Sequence, residues 1–166
     1  RMVAAGITVA PVADTPSVTN SSTTLNAQTT DGLLLTVNAV DGAEVTHFII
    51  TGITDGMLYQ NDGTTAIGVG DAITVTQGSA GLKFTPATDF VGDASFTFKA
   101  AVDAAGAGAS AEVTATIAVT YPQPEIEVLG DLILNRRTGL YEHTVRIHNY
   151  FSVVMEGFRL TNTNLL

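Results

Sequence analysis

The chain has 166 residues, with 7 basic and 16 acidic side chains, a formal net charge of −9 and no cysteine. So acidic a chain is repelled by phosphate backbones and anionic lipid surfaces, and the lack of cysteine rules out a disulfide framework, a thiolate metal site and a cysteine nucleophile, so nucleic acid is not an expected partner. Hydrophobic residues make up 45% of the chain, but 16 Gly interrupt them and no apolar run approaches the ~20 residues of a membrane span, so membrane insertion is not expected.

In "AGITVAPVADTP" Ile7 and Val9 alternate with Thr8 and Ala10 until Pro11, Asp14 and Pro16 forbid a continuing ladder. This predicts a closing strand within residues 1–12, followed by a linker. "ATIAVTYPQP" repeats the pattern, Ile117 and Val119 standing 110 positions after Ile7 and Val9. The repetition reads as a cut from a tandem array, with residues 1–12 the end of one module and 13–121 the next. An export signal, absent from the first residues, would then belong to a longer precursor. Charge marks the far boundary: residues 13–122 hold two bases, Lys83 and Lys99, against eleven acids, whereas 123–166 hold four against five.

Short strands fill the central stretch. "LLLTVNAV" places Leu33, Leu35, Val37 and Ala39 on one face before Asp41–Gly42 turns the chain. "VTHFIITGI" follows as a strand, and Asp55–Gly56 and Asp62–Gly63 bracket a short "MLYQ" strand as hairpin turns do. Ile73 and Val75 begin another strand, and "GLKF" points Leu82 and Phe84 inward until Pro86 ends it. "SFTFKAAVD" alternates most clearly: Phe96, Phe98, Ala100 and Val102 share a face and head the predicted core. After the loop "DAAGAGAS", Val113, Ala115, Ile117 and Val119 alternate along the closing strand. About seven short strands with turn signals every 8–12 residues, and no sustained 3.6-residue period, predict an all-β fold, an antiparallel sandwich.

Residues 122–166 read as the start of a second, incomplete β module. Its strands are "PEIEVLG", "GLYEHTVRIHNY" and "GFRLTNTNLL", with Tyr141, His143, Val145 and Ile147 on one face of the second. Three strands make one layer at most, and one layer cannot bury its own face.

The stretch from Gly56 to Val119 resembles the tandem cadherin-like, immunoglobulin-like repeats of very large bacterial surface proteins. The resemblance is carried by Gly56-Met57-Leu58, the Asp62–Gly63 turn, Val69 to Ile73, "LKFTPATDFVG" at 82–92, "SFTF" at 95–98 and Ala115-Thr116 before Val119. "PVADTP" at 11–16 is similar to the V-x-D-x-P segment that joins such modules, whereas the second linker, "TYPQPEIEV", has no Asp. The unit after 124 resembles the opening of a different immunoglobulin-like module. What the resemblance implies is an extracellular, bacterial cell-surface spacer or adhesive module whose partners are neighbouring modules of the same protein or identical chains in a fibre. Thr-rich strands with little Lys fit the same compartment.

Cadherin-like joints commonly hold Ca²⁺, which takes six to eight oxygen ligands. The resemblance therefore makes Asp14 in the linker and Asp41 and Asp103 in loops candidate Ca²⁺ ligands, with Ca²⁺ the one cofactor entertained. The competing reading is that these are turn residues, since Asp in a loop bonds its own backbone. His47, His143 and His148 are too scattered for a metal triad, and no hydrolase, Walker or dinucleotide motif is present, so no catalytic residue is expected. Two other functions compete with the spacer: a fibre subunit joined by strand complementation, and a carbohydrate-binding sandwich using Tyr59, Tyr121, Tyr141 or Tyr150.

Overall fold

Alternating burial builds the first layer. Ala94, Phe96, Phe98 and Ala100 are fully buried, while Ser95, Thr97 and Lys99 between them stand half-buried on the opposite face. The computed structural model describes residues 10–123 and 125–148. Within them the elements are β1 (Ser17–Val18), β2 (Ser21–Thr24), β3 (Leu35–Thr36), β4 (His47–Thr54), β5 (Gly56–Tyr59), β6 (Ala66–Ile67), β7 (Ala72–Thr74), α1 (Val75–Ser79), β8 (Lys83–Pro86), β9 (Gly92–Ala101), β10 (Val113–Thr120), β11 (Glu125–Asn135) and β12 (Leu140–His148). No helix among the described residues is long and apolar enough to cross a membrane. The chain divides into two units, Arg1–Thr120 and Tyr121–Leu166.

The first unit is an all-β sandwich. One layer is a five-stranded sheet in the order β2-β10-β9-β4-β7, and the other is a three-stranded sheet in the order β6-β5-β8. β1 and β3 form a two-residue ladder beside them. Pairing is antiparallel throughout except between β2 and β10, which run parallel, Ser21 opposite Ile117 and Thr24 opposite Thr120. Both layers feed one core: Phe48, Ile50, Phe96, Phe98, Ile117 and Val119 from the larger sheet meet Leu58, Ile67 and Phe84 from the smaller. Each such side chain contributes about 1.5–3 kcal/mol by leaving water. Of the expected core, Phe96, Phe98, Ala100, Leu82 and Phe84 are fully buried, but Val102, past the end of β9, is only half-buried, and Ala101, expected on the opposite face, is buried instead.

Three local expectations change. The predicted strand through Leu33, Leu35, Val37 and Ala39 shrinks to the two residues of β3. Leu33 adopts φ +52° and gives its N–H to the Thr19 carbonyl, and Ala39 sits exposed in a turn. Val75 does not continue a strand but opens α1, where Thr74 accepts from the Gln77 backbone and Gln77 from the Thr74 N–H. That helix brings Gly78 against the core, where a β-carbon would stand 2.7 Å from the Phe48 ring. Asp62–Gly63 does turn the β5–β6 hairpin, but Asp55–Gly56 is no hairpin turn: β4 and β5 belong to different layers, and Asp55 at φ +58° makes the corner between them.

The second unit, as described, is the β11–β12 hairpin. Ile126 faces Ile147, Val128 faces Val145, and, past an irregularity between Leu129 and Ile133, Leu134 faces Tyr141. These pairs make one apolar face, on which Ile126, Val128, Leu134 and Tyr141 are exposed. The other face carries the cross-strand pair Glu127 and Arg146, joined at 2.8 Å. Asn135 Oδ1 accepts from the Arg137 and Thr138 amides to shape the turn. The third strand expected at 157–166 and all but the last residue of the closing strand expected at 5–10 lie outside the described residues, and Ala10 is not in a strand.

Candidate functional site

The linker and two loops meet at one end of the first unit. β9 ends there at Ala101, β4 starts there opposite it at His47, and the segments 38–46 and 102–112 connect the strands. Residues 10–16 run across this end. The Ala13 N–H donates to the Gly108 carbonyl at 2.7 Å, and the Asp14 N–H donates to Asp41 Oδ1 at 2.8 Å. Asn38 Nδ2 reaches the Thr15 carbonyl at 3.4 Å.

The three carboxylates proposed as Ca²⁺ ligands therefore have distinct placements. Asp41 is 7% exposed, and it is the linker backbone, not the Asp14 side chain, that its Oδ1 binds. Its Oδ2 is buried and has no hydrogen-bond partner. Asp14 itself is exposed. Asp103 Oδ1 accepts from the Ala105 and Ala107 amides at 2.9 and 3.0 Å, so this side chain shapes its own loop as a turn Asp does. Among the described residues no group of three or more His, Asp or Glu side chains is placed to hold a metal ion.

Two residues that carry the linker were not singled out by sequence reasoning. Asn38 shapes the preceding turn, its Oδ1 accepting from the Val40 N–H and its carbonyl from the Asp41 N–H, which presents the Asp41 carboxylate. Gly108, at φ +57°, has no room for a β-carbon, which would lie 2.4 Å from the Pro11 carbonyl oxygen. The signal for Gly108 was the repeated Gly-Ala of "DAAGAGAS", read only as a loop.

Elsewhere the titratable groups serve turns and strand pairs. Asp62 gathers the Thr65 hydroxyl at 2.5 Å and the Thr65 and Thr64 amides at 2.8 and 2.9 Å. Those donors, the Thr65 hydroxyl foremost, lower its carboxyl to about 2. His47 Nδ1 lies 2.7 Å from the Thr46 hydroxyl, and His148 Nε2 lies 3.9 Å from Glu127. The side chain of His143 lies outside the described part. Of the tyrosines named for sugar binding, Tyr59 is half-buried with its hydroxyl on Met57 Sδ at 3.6 Å, and Tyr121 and Tyr141 are exposed. Tyr150 falls outside the described residues.

No family model, no curated protein and no solved structure matches the chain.

Proposed function

We propose that the chain is a structural module of an extracellular bacterial surface or fibre protein, working as a spacer between neighbouring modules. The observation that carries this reading is the path of the chain through the first unit. The linker meets the unit at the end formed by Asp41 and Gly108, and β2 then runs beside β10 in the same direction toward the opposite end. β10 leaves that far end at Thr120, its eight residues having covered about 26 Å. A unit that takes in the chain at one end and releases it at the other adds its own length to a string of modules. Contacts are then mainly between neighbours, and stability is nearly a sum over modules.

The resemblance of "LKFTPATDFVG" and "SFTF" to cadherin-like repeats supports the same reading, as do the Thr-rich strands, the scarcity of Lys and the Asp–Gly turns. The reading involves no catalytic step and no cofactor. Its partners are adjacent modules of the same protein.

Electron microscopy of the purified chain at several concentrations, with and without millimolar Ca²⁺, tests it. A spacer gives isolated particles under all conditions. Filaments with an axial repeat near one module would show a self-assembling fibre subunit instead, whose exposed Ile126, Val128, Leu134 and Tyr141 face would be a natural contact.

A further inference from the structure

We propose that residues 11–16 are a rigid strap, locked to the first unit by protein contacts alone, so that the direction in which the chain meets this unit is fixed without a metal ion. The proposal rests on the spacer reading and deepens it by naming what sets the joint.

Consecutive amides of the strap are held by two different loops. The Ala13 N–H is taken by the Gly108 carbonyl at 2.7 Å and the Asp14 N–H by Asp41 Oδ1 at 2.8 Å. Asn38 Nδ2 adds a longer contact to the Thr15 carbonyl at 3.4 Å. Between these anchors Ala13 is 5% exposed, and Pro16 is also buried, so the strap contributes side chains to the unit as well as hydrogen bonds. Pro11 and Pro16 fix φ at both ends, which removes freedom that the strap would otherwise lose on docking. The fit at Gly108 is close enough to exclude a single added carbon, which would stand 2.4 Å from the Pro11 oxygen.

The Asp41 carboxylate is used on one side only. Oδ1 holds the strap while Oδ2, buried, has no partner. A hydrogen bond from an amide requires an acceptor oxygen and not a charge, and an asparagine at this position keeps that oxygen. A cation ligand, by contrast, depends on the negative charge. The two roles therefore separate under Asp41→Asn and not under Asp41→Ala.

The test is residue-resolved amide hydrogen exchange on the full chain, in EDTA and in millimolar Ca²⁺. The strap predicts that the Ala13 and Asp14 amides exchange at least about 100-fold more slowly than in an unstructured peptide, equally in both solutions. Asp41→Ala releases the Asp14 amide by about tenfold or more while the Phe96 and Phe98 amides stay protected, and Asp41→Asn retains the protection. Gly108→Ala releases Ala13. Free exchange of Ala13 and Asp14 in EDTA, with protection gained on adding Ca²⁺, would overturn the proposal. So would loss of Asp14 protection in Asp41→Asn with the core amides intact. Should Asp41→Ala fail to fold, the wild-type comparison in EDTA and Ca²⁺ still decides. Filaments in the microscope would count against the spacer reading but leave this amide result untouched.

Discussion

Phe48 on β4 and Phe98 on β9 meet edge to face, with ring centroids 5.7 Å apart and ring planes at 86°. Phe98 stands opposite Ile50 in the ladder and Phe48 opposite Ala100, so the two rings touch diagonally across the pair of strands. Phe96 lies 5.9 Å from Phe98 on the same face, and all three rings are fully buried. Phe98→Ala is therefore expected to destabilise the first unit by about 3–5 kcal/mol, through lost transfer energy and the cavity left behind. Combined with Phe48→Ala in a double-mutant cycle, it should show a coupling of about 0.5–1.5 kcal/mol. Urea unfolding measures both, and a cost under about 1 kcal/mol for Phe98→Ala would contradict the assigned core.

At the corner between the layers, a β-carbon on Gly56 would stand 2.4 Å from two atoms of the Phe84 ring. Gly56→Ala is expected to cost about 1–3 kcal/mol, as overpacking does. Asp55→Gly, at the neighbouring φ of +58°, should not destabilise, because glycine adopts that conformation freely. Comparing the two midpoints of unfolding tests the corner: equal effects would mean that the backbone there is not shaped as described.

The helix α1 starts on the reciprocal pair of Thr74 and Gln77. Thr74→Ala should lower stability by about 1 kcal/mol, and Thr74→Ser should restore most of it. Thermal melts of the two variants check this, and indistinguishable melts would remove the cap from the account.

Asp62 supplies the pH prediction. Its carboxyl is lowered to about 2 from an ordinary 3.8, first by the Thr65 hydroxyl and then by the Thr65 and Thr64 amides. Since the folded-state value is the lower one, ionised Asp62 favours the folded state. That contribution is complete above about pH 4 and is lost as pH falls toward 2. In an NMR titration of the Asp62 side-chain carbon, Thr65→Val should move the midpoint up toward the ordinary value. A midpoint that stays near 2 would mean that the hydroxyl does not hold the carboxylate.

Much of the first layer was legible in the sequence because a strand buried on one face advertises itself by strict alternation. "SFTFKAAVD" and "AEVTATIAVT" do so over eight or more residues, and both became long central strands. The shorter elements were not legible for a physical reason. Leu33 is a core residue held by a bend at positive φ outside any ladder, and Leu35 belongs to a ladder of only two residues, so their alternation overstated the strand. At Val75 the apolar pattern suits a strand or a helical turn equally, and only the Thr74-x-x-Gln77 cap distinguishes them. Asp55–Gly56 and Asp62–Gly63 are the same dipeptide, yet one turns a hairpin and the other crosses between layers. That choice is made by which strands pair, which two residues cannot encode.

The linker end was only partly readable. Asp14 and Asp41 were named together as candidate metal ligands, and they do meet, but backbone to side chain. The bond is a backbone donor finding a distant carboxylate, 27 positions away in the chain, and such a contact leaves no local pattern. Gly108 and Asn38, which complete that end, look like any loop glycine and any turn asparagine until the linker is laid across them.

The most direct test of the spacer reading is to pull the chain by its two ends in a single-molecule force experiment. Load that arrives through the linker and leaves through Thr120 slides β2 along the parallel β10, so their hydrogen bonds are stressed together and not one after another. The account predicts that the first unit resists and then opens in one abrupt event, releasing about 35 nm of extended chain. Gradual lengthening at low force, with no such event, would contradict it.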